Sequence, residues 1–96
     1  MRYLTITTWE LLDSVDFDLT MEQMEKKRLP ALRELGAERV QVIRTSERTV
    51  AAISEWPDRR TRDDAEALIE RIRRKVRSED HGKMTGEMRG EVVADA

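Results

Sequence analysis

The stretch Arg39–Trp56, RVQVIRTSERTVAAISEW, limits what this chain can fold into more than any other part of it. Apolar residues alternate with polar ones on both sides of a short polar turn, the period of two expected for paired strands. A helix-like segment lies on each side of this hairpin, and a further alternating run lies beyond each helix. The predicted order is β-α-β-β-α-β: an α+β chain with a four-stranded antiparallel sheet and two helices on one face. The 96 residues fit one domain, residues 1–96.

Arg2–Leu12 reads as the first strand, with Tyr3, Thr5, Thr7 and Trp9 on one face and Leu4, Ile6, Thr8 and Glu10 on the other. Neither face is charged before Glu10, as in a central strand covered on both sides. Asp13–Leu19 reads as a loop. Thr20 is the expected N-cap of the first helix, with Gln23 completing a capping-box pattern. Met21, Met24, Leu32 and Leu35 form its apolar stripe. Pro30 has no amide hydrogen and should kink the helix or divide it after Leu29, and Gly36 should end it.

A turn at Ser46-Glu47, or over Ser46–Thr49, groups Val40, Val42, Ala51 and Ile53 on one hairpin face, suited to packing under helices. Gln41, Ile43, Val50, Ala52, Ser54 and Trp56 then share the other. A turn of odd length would scramble the grouping, and no Asn-Gly pair sets the length. Thr61 is the expected cap of the second helix, with Asp63 and Asp64 in its first turn. Its apolar positions are Ala65, Leu68, Ile69, Ile72 and Val76. It should end around Ser78–Gly82, and Thr85–Val93, with two glycines and a charged face, reads as an edge strand.

Composition removes several classes of function. Eighteen Lys and Arg against 20 Asp and Glu give a net charge of −2, so nothing draws the chain to nucleic acid or an anionic membrane. Without cysteine there is no disulfide, thiolate metal site or thiol nucleophile. No apolar run approaches a membrane span, and MRYLTITTWELL makes a poor signal peptide, so a cytoplasmic protein is expected. Charged residues are 40% of the chain and aromatics 4%, which leaves little apolar area to bury. A second copy would supply more.

Few side chains carry chemistry. The run Arg71, Arg73, Arg74, Lys75 and Arg77, with Arg59, Arg60 and Arg62 before it, reads as a solvated helix face paired with acids such as Glu70 to Arg74. RNA-recognition modules share the element order, but their stacking aromatics are missing from RTVAAIS. His81 stands alone, so no zinc site is expected, and Asp13, Asp16 and Asp18 lack the glycine and distal glutamate of a calcium loop. There is no nucleophile elbow and no glycine-rich phosphate loop. The remaining candidate is a small-molecule pocket. Trp9 and Trp56 near the ends of the two central strands would wall it, and Arg44 or Glu55 would be the polar handle. The alternative is that the tryptophans are core or dimer-contact residues.

The element order, the LPALRELGA run at Leu29–Ala37 and the closing Glu55-Trp56-Pro57-Asp58 together resemble the dimeric α+β barrel superfamily. The similarity is greatest to its branch of antibiotic-biosynthesis monooxygenases and NIPSNAP-type proteins. This resemblance implies a ferredoxin-like fold that pairs through its sheet face with a second subunit. It also implies oxygenation of a small aromatic molecule without a conventional cofactor. Haem-degrading members carry a first-strand asparagine, a tryptophan after the third strand and a histidine on the second helix. Trp56 matches the tryptophan, but Thr5, Thr7 and Thr8 stand on the first strand and Asp63–Arg77 has no histidine. Haem degradation is therefore not expected. The reading is a homodimeric, cofactor-independent monooxygenase-like enzyme; the alternative is a non-catalytic small-molecule-binding or regulatory module on the same fold.

Overall fold

The computed structural model describes residues 1–78 and 82–96. Four strands, β1 (Tyr3–Leu11), β2 (Arg39–Arg44), β3 (Thr49–Trp56) and β4 (Gly82–Glu91), form one sheet in the order β2-β3-β1-β4. Every neighbouring pair is antiparallel. The two strands richest in β-branched and aromatic residues, β1 and β3, take the centre, and the glycine-bearing β4 takes an edge, as predicted. β1 buries Tyr3, Thr5, Thr7, Trp9 and Leu11 beneath the helices.

The hairpin register corrects the expected grouping. Arg44 pairs with Val50, and the Thr45 amide donates to the Thr49 carbonyl at 3.0 Å, which leaves the odd-length loop Ser46-Glu47-Arg48. Val40 therefore sits opposite Ser54, and Val42 opposite Ala52. The inner face carries Val40, Val42, Val50, Ala52, Ser54 and Trp56; Ala51 and Ile53 turn to the outer face. An odd loop exchanges the faces of one strand relative to the other because side chains alternate strictly.

The first helical segment starts earlier than predicted. Asp16, not Thr20, caps α1 (Phe17–Gln23): its carboxylate accepts the Leu19 amide at 2.8 Å. Thr20 is buried inside the first turn, its hydroxyl donating to the Asp16 carbonyl at 2.7 Å. Between α1 and α2 (Leu29–Glu34) the helix widens into a π turn over Met24–Arg28, where the Leu29 amide donates to the Met24 carbonyl. Pro30 thus falls in the opening turn of α2, where a missing amide hydrogen costs least. The segment does divide near Pro30, but before Leu29 rather than after it, and a wide turn produces the division.

α2 ends in a Schellman motif, with the Ala37 amide on the Leu32 carbonyl at 3.2 Å and the Gly36 amide on that of Arg33 at 3.1 Å. Gly36 has φ +120°, and a Cβ there would lie 2.8 Å from Thr61 Cγ2, so conformation and space both call for glycine.

The second helical segment also starts earlier. Asp58 caps α3 (Arg59–Asp64), accepting both the amide and the hydroxyl of Thr61 at 2.8 Å. Those two bonds, backbone first, hold the Asp58 carboxyl below its ordinary range. Asp63 and Asp64 close this short helix instead of opening a long one. After a tight turn at buried Ala65, α4 (Glu66–Ser78) continues with Ile69 buried but Leu68 43% exposed, so Leu68 is not a core residue. The side chain of Val76 and the whole of His81 lie outside the described residues.

The inner face holds two apolar clusters at opposite ends of the sheet. Tyr3, Ala37, Trp56, Ala65 and Ile69 form one, with Leu32, Leu35 and Val40 against it. Trp9 and Val50 form the other, flanked by Phe17, Met21 and Val42. On the outer face Ile43 and Met88 are 48% and 65% exposed, beside the half-buried Leu4, Ile6 and Ile53. No described helix is long and apolar enough to cross a membrane.

Candidate functional site

Between the two clusters the central strands carry only small side chains: Thr5 and Thr7 on β1, Ala52 and Ser54 on β3. The helices cannot settle onto residues this short, and a cavity of about 80 Å³ remains beneath them. Met24 and Arg28 of the π turn roof it, together with Leu29, Leu32, Arg62, Ile69, Ile72 and Arg73.

Both tryptophans line this cavity. Trp9 pairs with Val50, and Trp56 with Tyr3, so their backbones lie six residues, or roughly 20 Å, apart along the strands. They close the cavity from opposite ends. Each indole N–H donates to the hydroxyl two residues earlier in its own strand: Trp9 Nε1 to Thr7 Oγ1 at 2.8 Å, and Trp56 Nε1 to Ser54 Oγ at 3.0 Å. Thr5 Oγ1 and Ser54 Oγ are also bonded to each other across the strands.

Arg44 and Glu55 do not join the tryptophans. Arg44 is exposed at the hairpin end, its guanidinium 3.7 Å from the centre of the Phe17 ring. It donates to the Ser46 carbonyl at 3.2 Å and the Glu47 carbonyl at 2.8 Å. Glu55 lies on the outer face, 3.9 Å from Arg2, beside a shallow depression formed with Leu4 and the segment Val92–Asp95. For Glu55 the physical reason is register, since odd neighbours on β3 face away from the helices; Arg44, opposite Val50, is held at the hairpin end of the sheet by the turn carbonyls.

Three guanidinium groups border the cavity, those of Arg28, Arg62 and Arg73, and Arg62 is the most deeply buried of them instead of lying on the solvated face expected of it. Its side chain is 1% exposed. Nη1 donates to Glu66 Oε2 at 2.5 Å, and the guanidinium lies 6.0 Å from the centre of the Trp56 ring. Nη2 is buried and has no hydrogen-bond partner among the described residues. A signal for Arg62 was present: carrying the Ala65, Ile69, Ile72 spacing back one step reaches it.

Arg62 begins a ladder of alternating charges between the helices and β4. Glu66 also meets Arg89 at 3.0 Å, Arg89 meets Glu87 at 2.8 Å, and Glu87 meets Arg73 at 2.6 Å. Arg73 in turn bonds Glu70 at 2.8 Å, so Glu70 pairs one residue earlier than the expected Arg74. The hydrogen bond from Arg62 and the nearby Arg62 and Arg89 charges hold the Glu66 carboxyl below its ordinary value, against the opposing effect of burial. No cluster of three or more potential metal ligands occurs among the described residues.

Solved structures match this architecture over nearly its whole length. A dimeric ferredoxin-like protein from an uncultured marine organism superposes with a TM-score of 0.75 at 20% identity, covering 99% of this chain and 98% of that one. The fold is ferredoxin-like. HapK from Hahella chejuensis matches with a TM-score of 0.74 at 16% identity, covering 100% of this chain and 96% of its own. A second dimeric ferredoxin-like protein from an uncultured marine organism matches at 0.73 and 12% identity, over 98% of this chain and 97% of that one. No protein-family model matches the sequence, and no curated protein matches it significantly.

Proposed function

We propose that this chain is a small-molecule-binding module, a homodimer joined through the outer sheet face, with the cavity between sheet and helices as its ligand site. The observation that carries the ligand reading is the cavity itself, a mostly apolar space closed by two buried tryptophans and bordered by one incompletely bonded guanidinium. Support for the dimer comes from the unpartnered apolar residues Leu4, Ile6, Ile43, Ile53 and Met88, and from structural neighbours described as dimeric.

A binding role fits better than catalysis because the described lining residues include no Asp, Glu, His, Cys or Tyr to act as an acid or base. A second reading, a cofactor-independent monooxygenase-like enzyme for a small aromatic molecule, draws on the tryptophan-walled space, which would shield a reactive carbanion from water. A dry cavity of about 150 Å³ holds benzene. This one is about half that size and would have to open, with the π turn as the place to do so.

The test uses thermal shift and oxygen uptake. A ligand of the native state should raise the melting temperature of the wild type and leave that of Ala52→Leu, which fills the cavity, unchanged. Binding without oxygen consumption supports the module, and substrate-dependent oxygen uptake supports the enzyme. A monomer in sedimentation at micromolar concentration would remove the dimer.

A further inference from the structure

The cavity wall is richer in hydrogen-bond donors than in acceptors: three guanidinium groups line it, and among the described lining side chains the oxygen acceptors are hydroxyls alone. Thr7 Oγ1 already accepts from Trp9, and its proton is left to donate. Ser54 Oγ accepts from Trp56 and shares a bond with Thr5, in which either hydroxyl can be the donor; the other keeps a free proton. Arg62 Nη2 adds two N–H groups with no acceptor among the described residues. Both indole N–H groups are engaged within the wall, and no described lining side chain is a carboxylate, carboxamide or imidazole. A buried donor without a partner is costly, so an arrangement this one-sided is complementary to an acceptor that arrives with the ligand.

We infer that the cavity takes a short-chain carboxylate, its oxygens on the free hydroxyl protons of β1 and β3 beside the Arg62 guanidinium, and its alkyl group against Met24, Leu32 and Ile69. This rests on the reading of the cavity as a ligand site. Charge favours the anion over a neutral carbonyl, because the one carboxylate bonded to Arg62 among the described residues, that of Glu66, is shared with Arg89. Size sets the chain length: about 80 Å³ is about half of a cavity that holds benzene, so it suits an acid of two or three carbons rather than a branched or aromatic one. The carboxylate supplies the charged acceptor that the described lining residues lack.

Titration calorimetry of the wild-type protein with propionate, propionamide and 1-propanol tests this without any variant. The acid should bind at least about tenfold more tightly than the amide or the alcohol, as a charge-assisted pair requires. Arg62→Met should erase that preference, Arg62→Lys should keep part of it, and Ala52→Leu should abolish binding of all three. Equal affinity for acid, amide and alcohol would overturn the carboxylate assignment while leaving a ligand cavity in place. Acid binding that survives in Ala52→Leu would place the site elsewhere and overturn it too. No binding of any of the three would overturn both the assignment and the ligand-site reading beneath it.

Discussion

The two ends of the helix-covered face are built alike and finish differently. At each, a tryptophan on a central strand donates its indole proton to a hydroxyl two residues back, and an arginine lies over a nearby aromatic ring. At the hairpin end the arginine is Arg44, exposed to water, with its donors on the carbonyls of Ser46 and Glu47. At the other end it is Arg62, enclosed, with Nη2 unengaged among the described residues. The first arginine ties down a turn. The second is paired with Glu66 and keeps one buried nitrogen unengaged among the described residues, beside the cavity.

Substitutions at the two ends should separate these roles. The largest effect is expected for Trp56→Ala: the side chain is 0% exposed, and its loss should cost about 3–5 kcal/mol in urea denaturation. Ser54→Ala leaves the Trp56 indole proton and the Thr5 hydroxyl without their partner, for a loss of about 1–3 kcal/mol. Arg44→Ala removes an exposed ring contact and should cost only about 0.5–1 kcal/mol. A loss at Arg44 as large as that at Ser54 would mean that the two ends share one role.

The smallest expected effect is a pH dependence. Glu66 titrates below its ordinary value of 4.5 in the folded protein, so the stability it contributes is complete above that pH. It is lost as pH falls through the lower, folded-state value. Glu66→Gln should flatten this acid limb of the stability curve and leave the region from about pH 6 to 8 with the same slope. An unchanged acid limb would assign the titration to other carboxylates.

Which parts of this architecture could be read from the chain follows from the range of the interactions involved. Strand alternation, the Gly36 stop and the edge position of β4 reflect local chemistry, and each was readable. The helix starts were displaced because Asp16 and Asp58 bind amides three residues on, a capping role that Thr20 and Thr61 equally suggest in sequence. The hairpin register turned on a single loop residue. That residue determined that Ser54 and Ala52 face the cavity and that Glu55 does not.

The sequence by itself determined the element order and the central pair of strands, and it marked Trp9 and Trp56 for burial, because periodicity and residue type report burial directly. Only the tertiary structure decided what stands beside those rings. Among Arg59, Arg60 and Arg62, one turns inward because the break at Ala65 and the Asp58 cap fix the rotation of α3. The small residues Thr5, Thr7, Ala52 and Ser54 become a cavity only when β1 and β3 pair in register and the widened turn at Met24–Arg28 arches over them. Both outcomes depend on contacts between residues far apart in the chain, and no local pattern carries that information.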